Sequence, residues 1–175
     1  MRADRDFTLS NLNGSKFAAK LPVTTLIGPL NIPRSWVSID ITLDKGEKAP
    51  LVSTHLEPLS PIIQGLQADE LLNGPSNTNL PFIFIGDFNS NAGGSGKPAY
   101  SKLIYAGFID ACNIIGICSG FTCCQSADLL NAFSSLNERL DLILLKDNFD
   151  VKNKVVGINK MIVLYLVFGR LTIQE

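Results

Sequence analysis

Four polar side chains stand where a sheet protein keeps its chemistry. His55 closes a run of strand-forming residues, and Asp87 and Asn89 follow the apolar run Phe82 to Ile85. Asp141 interrupts the apolar stretch from Leu140 to Leu145. A histidine gives or takes a proton near neutral pH. An aspartate orients or deprotonates a water, and an asparagine donates to an anionic oxygen without adding negative charge. Together the set points to the handling of phosphate esters. Each residue alone has a plainer reading. A lone histidine is more often structural, and an aspartate after a glycine is usually a turn residue or helix cap. Asp141 has Arg139 as a candidate ion partner, because a charge on an apolar face needs one.

The elements that must hold these residues are legible around them. Phe82 to Ile85 is a short continuous apolar run, the pattern of a strand buried on both faces, with Gly86 ending it. If the extended direction persists, Asp87 and Asn89 share one side and Phe88 points back into the core. Trp36 to Leu43 alternates, with Val37, Ile39, Ile41 and Leu43 opposite Trp36, Ser38, Asp40 and Thr42. The polar turn at 44–47 then makes Ala49 to Leu56 its antiparallel partner. Ile62 to Leu72 predicts a helix with apolar residues at 62, 63, 66, 71 and 72, closed by Asn73-Gly74-Pro75. Pro98 to Ala106 predicts a second helix, stopped by Gly107. Glu138 to Lys146 predicts a strand with Asp141 within it. Further strands are expected at Asp6 to Ser10, Ser15 to Lys20, Val151 to Gly157 and Met161 to Phe168. Residues 21–33, with Pro22, Pro29 and Pro33, read as a connecting loop, 91–97 as a glycine-rich flexible loop, and 108–137 as irregular.

Composition narrows the class. The chain has 175 residues, 46% hydrophobic and 18% charged, which describes a globular chain of one domain, with two small ones the other reading. Net charge is −1 and no window concentrates Lys and Arg. Tight duplex nucleic-acid binding is therefore not expected, since neutralising phosphates demands a basic face. A small phosphate ester is not excluded. The four cysteines, Cys112, Cys118, Cys123 and Cys124, contain no C-x-x-C pair, and one histidine cannot complete a Cys/His zinc set. A disulfide from Cys112 or Cys118 to the 123/124 pair is one reading, and buried thiols are the other. No apolar signal core begins the chain. Its longest apolar run, Met161 to Phe168, is too short to span a bilayer, so a cytoplasmic location is expected as the chain stands.

The order and wording of the motifs are more specific. Ser-Thr-His-Leu-Glu at 53–57, Phe-Ile-Gly-Asp-Phe-Asn at 84–89 and Glu-Arg-Leu-Asp-Leu-Ile-Leu at 138–144, with Gly-Phe-Thr-Cys-Cys-Gln at 120–125, resemble the endonuclease/exonuclease/phosphatase superfamily. The resemblance implies an α+β, DNase-I-like fold, a two-sheet β-sandwich flanked by helices, of which this chain covers mainly the C-terminal half and so only an incomplete part. It implies a magnesium-dependent phosphodiesterase or phosphatase that uses an activated water. His55 then matches the histidine at the scissile phosphate. Asp87 matches the aspartate that positions or activates the water and touches metal, and Asn89 the phosphate-binding asparagine. Asp141 matches the aspartate that orients a second, C-terminal histidine. Glu57 and Arg139 lie inside the motifs without an assigned role.

The departures set further expectations. The family's metal-binding Glu belongs to a segment preceding the equivalent of this chain's start, and a second histidine does not exist here. Residues 1–157 read as a partial domain and 158–175 as a divergent tail. A truncated form with little or no activity is expected, and secretion is one reading for full-length relatives. The alternative is a non-catalytic domain that binds a phosphate ligand or a protein, with self-association through an exposed sheet.

Overall fold

A computed structural model describes residues 7–43, 46–115 and 120–146. The strands expected at Val151 to Gly157 and Met161 to Phe168, the 158–175 tail and Cys118 lie outside the described residues. The strand elements are β1 (Phe7–Lys16), β2 (Leu21–Thr25), β3 (Gly28–Ile32), β4 (Ser35–Leu43), β5 (Lys48–His55), β6 (Phe82–Asp87), β7 (Ile109–Asp110) and β8 (Asp141–Lys146). The helices are α1 (Pro61–Asn73), α2 (Ala99–Tyr105) and α3 (Ala111–Ile115). The fold is α+β. A six-stranded sheet has the order β1-β4-β5-β6-β8-β7, and β2 and β3 form a separate two-stranded sheet.

The central strands follow from their sequences. β4 and β5 pair antiparallel with Trp36 opposite Thr54. β5 and β6 are joined through α1 and pair parallel, and β6 pairs antiparallel with β8. Phe82 and Phe84 enter a core with Val52, Leu142, Leu144, Phe88 and Phe108, beneath Ala68 and Leu71 of α1 and Leu103 of α2. Ile83 faces the other way, with Ala49 and Leu145. The apolar run of β6 thus serves both faces of the sheet. The second face is the thinner one. Ile41, Leu51, Ile85 and Ile143 are only partly buried, and Val37 on the same face is 53% exposed.

Several expectations need correction. Phe7–Lys16 is one strand, not two, because the Asn11-Leu12-Asn13 segment makes an irregularity between Ser10 and Asn13 instead of a turn. Asn11 takes a φ of 53°, which asparagine tolerates, and its side chain donates to Asp40 Oδ2 at 2.8 Å. The stretch 21–33 is the β2–β3 hairpin and not a loop. Its prolines disguise it, yet a two-stranded sheet consists of edges only, where a missing N–H is tolerated. Short β7 and α3 likewise emerge within 108–137.

The most consequential correction concerns Gly86. It does not end β6 but lies within it, opposite Thr54 of β5, with φ of 132°. A Cβ there would meet the Thr54 carbonyl oxygen at 2.0 Å. The glycine therefore permits both the backbone conformation and the close approach of the two strands. Gly86→Ala is expected to cost about 3 kcal/mol or more, from backbone strain plus steric overlap. Urea denaturation measures this, and an unchanged midpoint would contradict the close approach.

Candidate active site

The sheet register brings three of the four sequence-marked residues into one row. His55 is opposite Asp87 in the β5–β6 ladder, and Asp87 is opposite Asp141 in the β6–β8 ladder. The row lies where β5 and β6 end and β8 begins. His55 Nε2 is 3.5 Å from Asp87 Oδ2, with the histidine 55% and the aspartate 33% exposed. Solvent and a ligand can reach both. Two carboxylates paired across a ladder repel unless a cation or proton donor stands beside them. His55 is a group of that kind, next to Asp87 on the far strand.

Asn89 departs from its expected placement. The extended direction does not persist past Phe88, since Asn89 takes a left-handed φ of 47°. Its backbone N–H donates to Asp87 Oδ1 at 2.8 Å and its Nδ2 donates to the Leu56 carbonyl at 2.9 Å. The side chain is buried against the loop that follows His55. Asn89 thus joins the two loops and fixes the Asp87 carboxylate through its own backbone. Phe88 is fully buried, as the alternation requires. Its N–H donates to the Leu140 carbonyl and extends the β6–β8 ladder beyond the row.

Asp141 is the first residue of β8, so it stands at a strand end and not within the strand. Its expected partner Arg139 turns elsewhere, donating to both carboxylate oxygens of Asp110, at 3.2 and 2.6 Å. Asp110 is 1% exposed and also accepts from Tyr100 Oη at 3.3 Å and from the Cys112 N–H. Asp141 is placed instead by Thr122, whose Oγ1 accepts from the backbone N–H groups of Leu140 and Asp141, each at 3.0 Å. Thr122 belongs to the Gly-Phe-Thr-Cys-Cys-Gln segment. The composition of that segment marks it, but its contact with β8 needs the fold. Cys123 and Cys124 are bonded to each other, which corrects both the reading that one of them bridges to Cys112 or Cys118 and the reading of the pair as buried thiols.

Sequence reasoning also missed the buried polar layer beneath the row. The helix was expected from its apolar residues at 62, 63, 66, 71 and 72. In fact Gln64, Gly65, Gln67, Ala68 and Leu71 are buried, while Ile62 and Leu66 are exposed. Glu57, 1% exposed, lies beside the Arg34 guanidinium at 3.7 Å and accepts from the Leu59 N–H.

Magnesium demands near-octahedral oxygen coordination. Among the described residues no three His, Cys, Asp or Glu side chains group to hold a metal ion. Asp87 and Asp141 are hard oxygen donors of a suitable kind, but the described residues do not make a complete magnesium site.

No protein-family model and no curated protein matches the sequence. Solved structures do match. An endonuclease/exonuclease/phosphatase family protein from Bacteroides thetaiotaomicron superposes with a TM-score of 0.61 at 18% identity, over 86% of this chain and 55% of that one. A mannosyl-6-phosphatase from the same organism gives 0.53 at 16%, over 86% and 57%. The human Nocturnin catalytic domain with bound sulfate gives 0.53 at 17%, over 83% and 50%. The chain therefore has the DNase-I-like fold of the endonuclease/exonuclease/phosphatase proteins. It spans about half the length of these structures. No helix among the described residues is long and apolar enough to cross a membrane.

The Asp110 cluster yields a prediction of stability and its pH dependence. Arg139→Ala would leave a buried carboxylate unpaired, at a cost of about 3–5 kcal/mol. Burial, and then the Asp110 charge and hydrogen bond, raise the Tyr100 phenol above its ordinary 10.0. The neutral phenol is thus favoured in the folded state, and its contribution is complete below pH 10 and lost as pH rises above it. Tyr100→Phe should flatten that alkaline loss in urea midpoints measured from pH 8 to 11. An identical slope in both proteins would refute the assignment.

Proposed function

We propose that this chain carries part of a phosphate-ester site of the metal-dependent phosphodiesterase or phosphatase type, in which a water attacks phosphorus. The observation that carries the reading is the single row His55, Asp87, Asp141 across three adjacent strand ends, in a fold whose solved examples include a phosphatase. In this reading His55 donates to a phosphate oxygen or the leaving group, and Asp87 holds or deprotonates the water. Asn89 fixes Asp87 through its backbone N–H, and its buried amide keeps the neighbouring loop in place. Asp141 adds the second carboxylate of the row. Magnesium would supply charge neutralisation and activation of water. Asp87 and Asp141 would be this chain's donors, with the others coming from water, substrate or outside the described residues.

The donor set predicts weak chemistry from this chain alone, because losing members of a catalytic unit costs orders of magnitude in rate. Hydrolysis of bis-p-nitrophenyl phosphate with magnesium should be slow or undetectable. Inorganic phosphate should nevertheless shift the NMR signals of the His55 ring and of the Phe88 and Asn89 amides, and Asp87→Ala should change that response. Fast turnover abolished by both His55→Ala and Asp87→Ala would overturn the low-activity prediction while supporting the reaction class. No phosphate-dependent shift at these positions would sink the phosphate reading itself.

A second reading is a non-catalytic domain that associates with a second copy of itself. It is favoured by the thinly covered sheet face, where Val37, Ile39 and Ile41 follow one another at period two. On size-exclusion chromatography the protein should elute larger at higher concentration, and Val37→Lys should shift it toward the monomer. A monomer at all concentrations would remove this reading.

A further inference from the structure

The parallel ladder of β5 and β6 stops at the rung His55–Asp87, and the two chains then diverge into loops. They stay joined. The Leu56 N–H donates to the Asp87 carbonyl at 3.0 Å, and Asn89 Nδ2 returns a bond to the Leu56 carbonyl at 2.9 Å. Beyond that point a side chain from a third element takes over. Gln64 of α1 is 0% exposed. Its Nε2 donates to the Glu57 carbonyl at 3.2 Å and to the Asn89 carbonyl at 2.8 Å, while its Oε1 accepts from the Ala99 N–H at 3.3 Å. One carboxamide thus uses both donors and its acceptor on the backbone of three segments: the loop after His55, the loop after Asp87, and the start of α2.

We infer that Gln64 is a positioning residue, setting the separation of the His55-bearing and Asp87-bearing loops and hence the geometry in which the two side chains meet a ligand. The inference rests on the phosphate-site reading for its function but not for its structural content. The alternative is that Gln64 merely packs α1 onto the sheet. Gln67, three residues on, discriminates between the two. It is equally buried, and its Oε1 accepts from the Glu57 N–H at 2.9 Å while its Nε2 donates to the Ala19 carbonyl at 3.0 Å. It holds the His55 loop to the β1–β2 connection and has no hydrogen bond to the Asp87 loop. A packing role would make the two glutamines equivalent, whereas a positioning role separates them.

The full chain is compared with Gln64→Leu and Gln67→Leu by amide hydrogen exchange and by the ring signals of His55, which are unambiguous because the protein has one histidine. In Gln64→Leu the Leu56 and Asn89 amides should lose about tenfold more protection than Val52 and Phe84 within the ladder, the effect of removing two buried hydrogen bonds. The His55 ring signals should shift, and the affinity for inorganic phosphate should fall by about the same factor. In Gln67→Leu the loss should leave Asn89 unaffected relative to the ladder. A uniform loss in Gln64→Leu, matching that in Gln67→Leu, would overturn the inference. Gln64→Met, which keeps length and flexibility, replaces the leucine variant if that one does not fold. In the wild type the two Nε2 protons of Gln64 should exchange slowly with water, and rapid exchange would also overturn the inference. If the wild type does not bind phosphate, the function reading fails, while the exchange pattern still decides the role of Gln64.

Discussion

The contact between Thr54 and Gly86 is the constraint on which the site depends. A parallel strand pair normally brings side chains up beside one another at every rung. Here the rung before His55–Asp87 has no side chain on one strand, and the backbone of β6 passes so close to the Thr54 carbonyl that a methyl group would not fit. The close approach carries directly into the next rung, where an exposed imidazole and a half-buried carboxylate meet. On the other side of β6, the antiparallel ladder delivers Asp141 to the same row. The row is thus built from strand ends whose bodies lie in the core, an arrangement that gives side chains little freedom to drift.

Around this row, buried polar groups do what apolar packing cannot. Apolar contact is non-directional and tolerates small displacements, whereas a hydrogen-bonded carboxamide with every atom engaged tolerates few. Gln64 and Gln67 hold the loops from beneath, Asn89 ties one loop to the other, and Thr122 fixes the first residues of β8. Arg139 and Asp110 anchor the segment leading into β8 to the start of α3. None of these groups needs to touch a ligand to shape the geometry a ligand would meet.

The sheet itself is asymmetric. One face is covered by α1 and α2 and contains the aromatic core, with Phe82, Phe84 and Phe108 in mutual ring contact. The other carries aliphatic side chains that the described residues cover only in part. The chain spans about half the length of the solved structures that share this fold.

What the sequence determined by itself was local or periodic. The alternation of β4, the apolar run of β6 and the helix punctuation at Gly74 and Gly107 each depend on near neighbours, and each was legible. The motif residues His55, Asp87, Asn89 and Asp141 were legible too, as polar groups abutting apolar strands. Only the tertiary structure decided the register that aligns three of them, because pairing partners lie tens of residues apart. It alone decided that Asn89 turns inward, that Arg139 serves Asp110 instead of Asp141, and that α1 buries its glutamines. The last case states the reason most clearly. An amide side chain such as that of Gln64 or Gln67 is at home in solvent, but a buried glutamine is stable when every donor and acceptor is met. Whether they are met depends on backbone carbonyls and N–H groups from other parts of the chain, which become neighbours only in the fold.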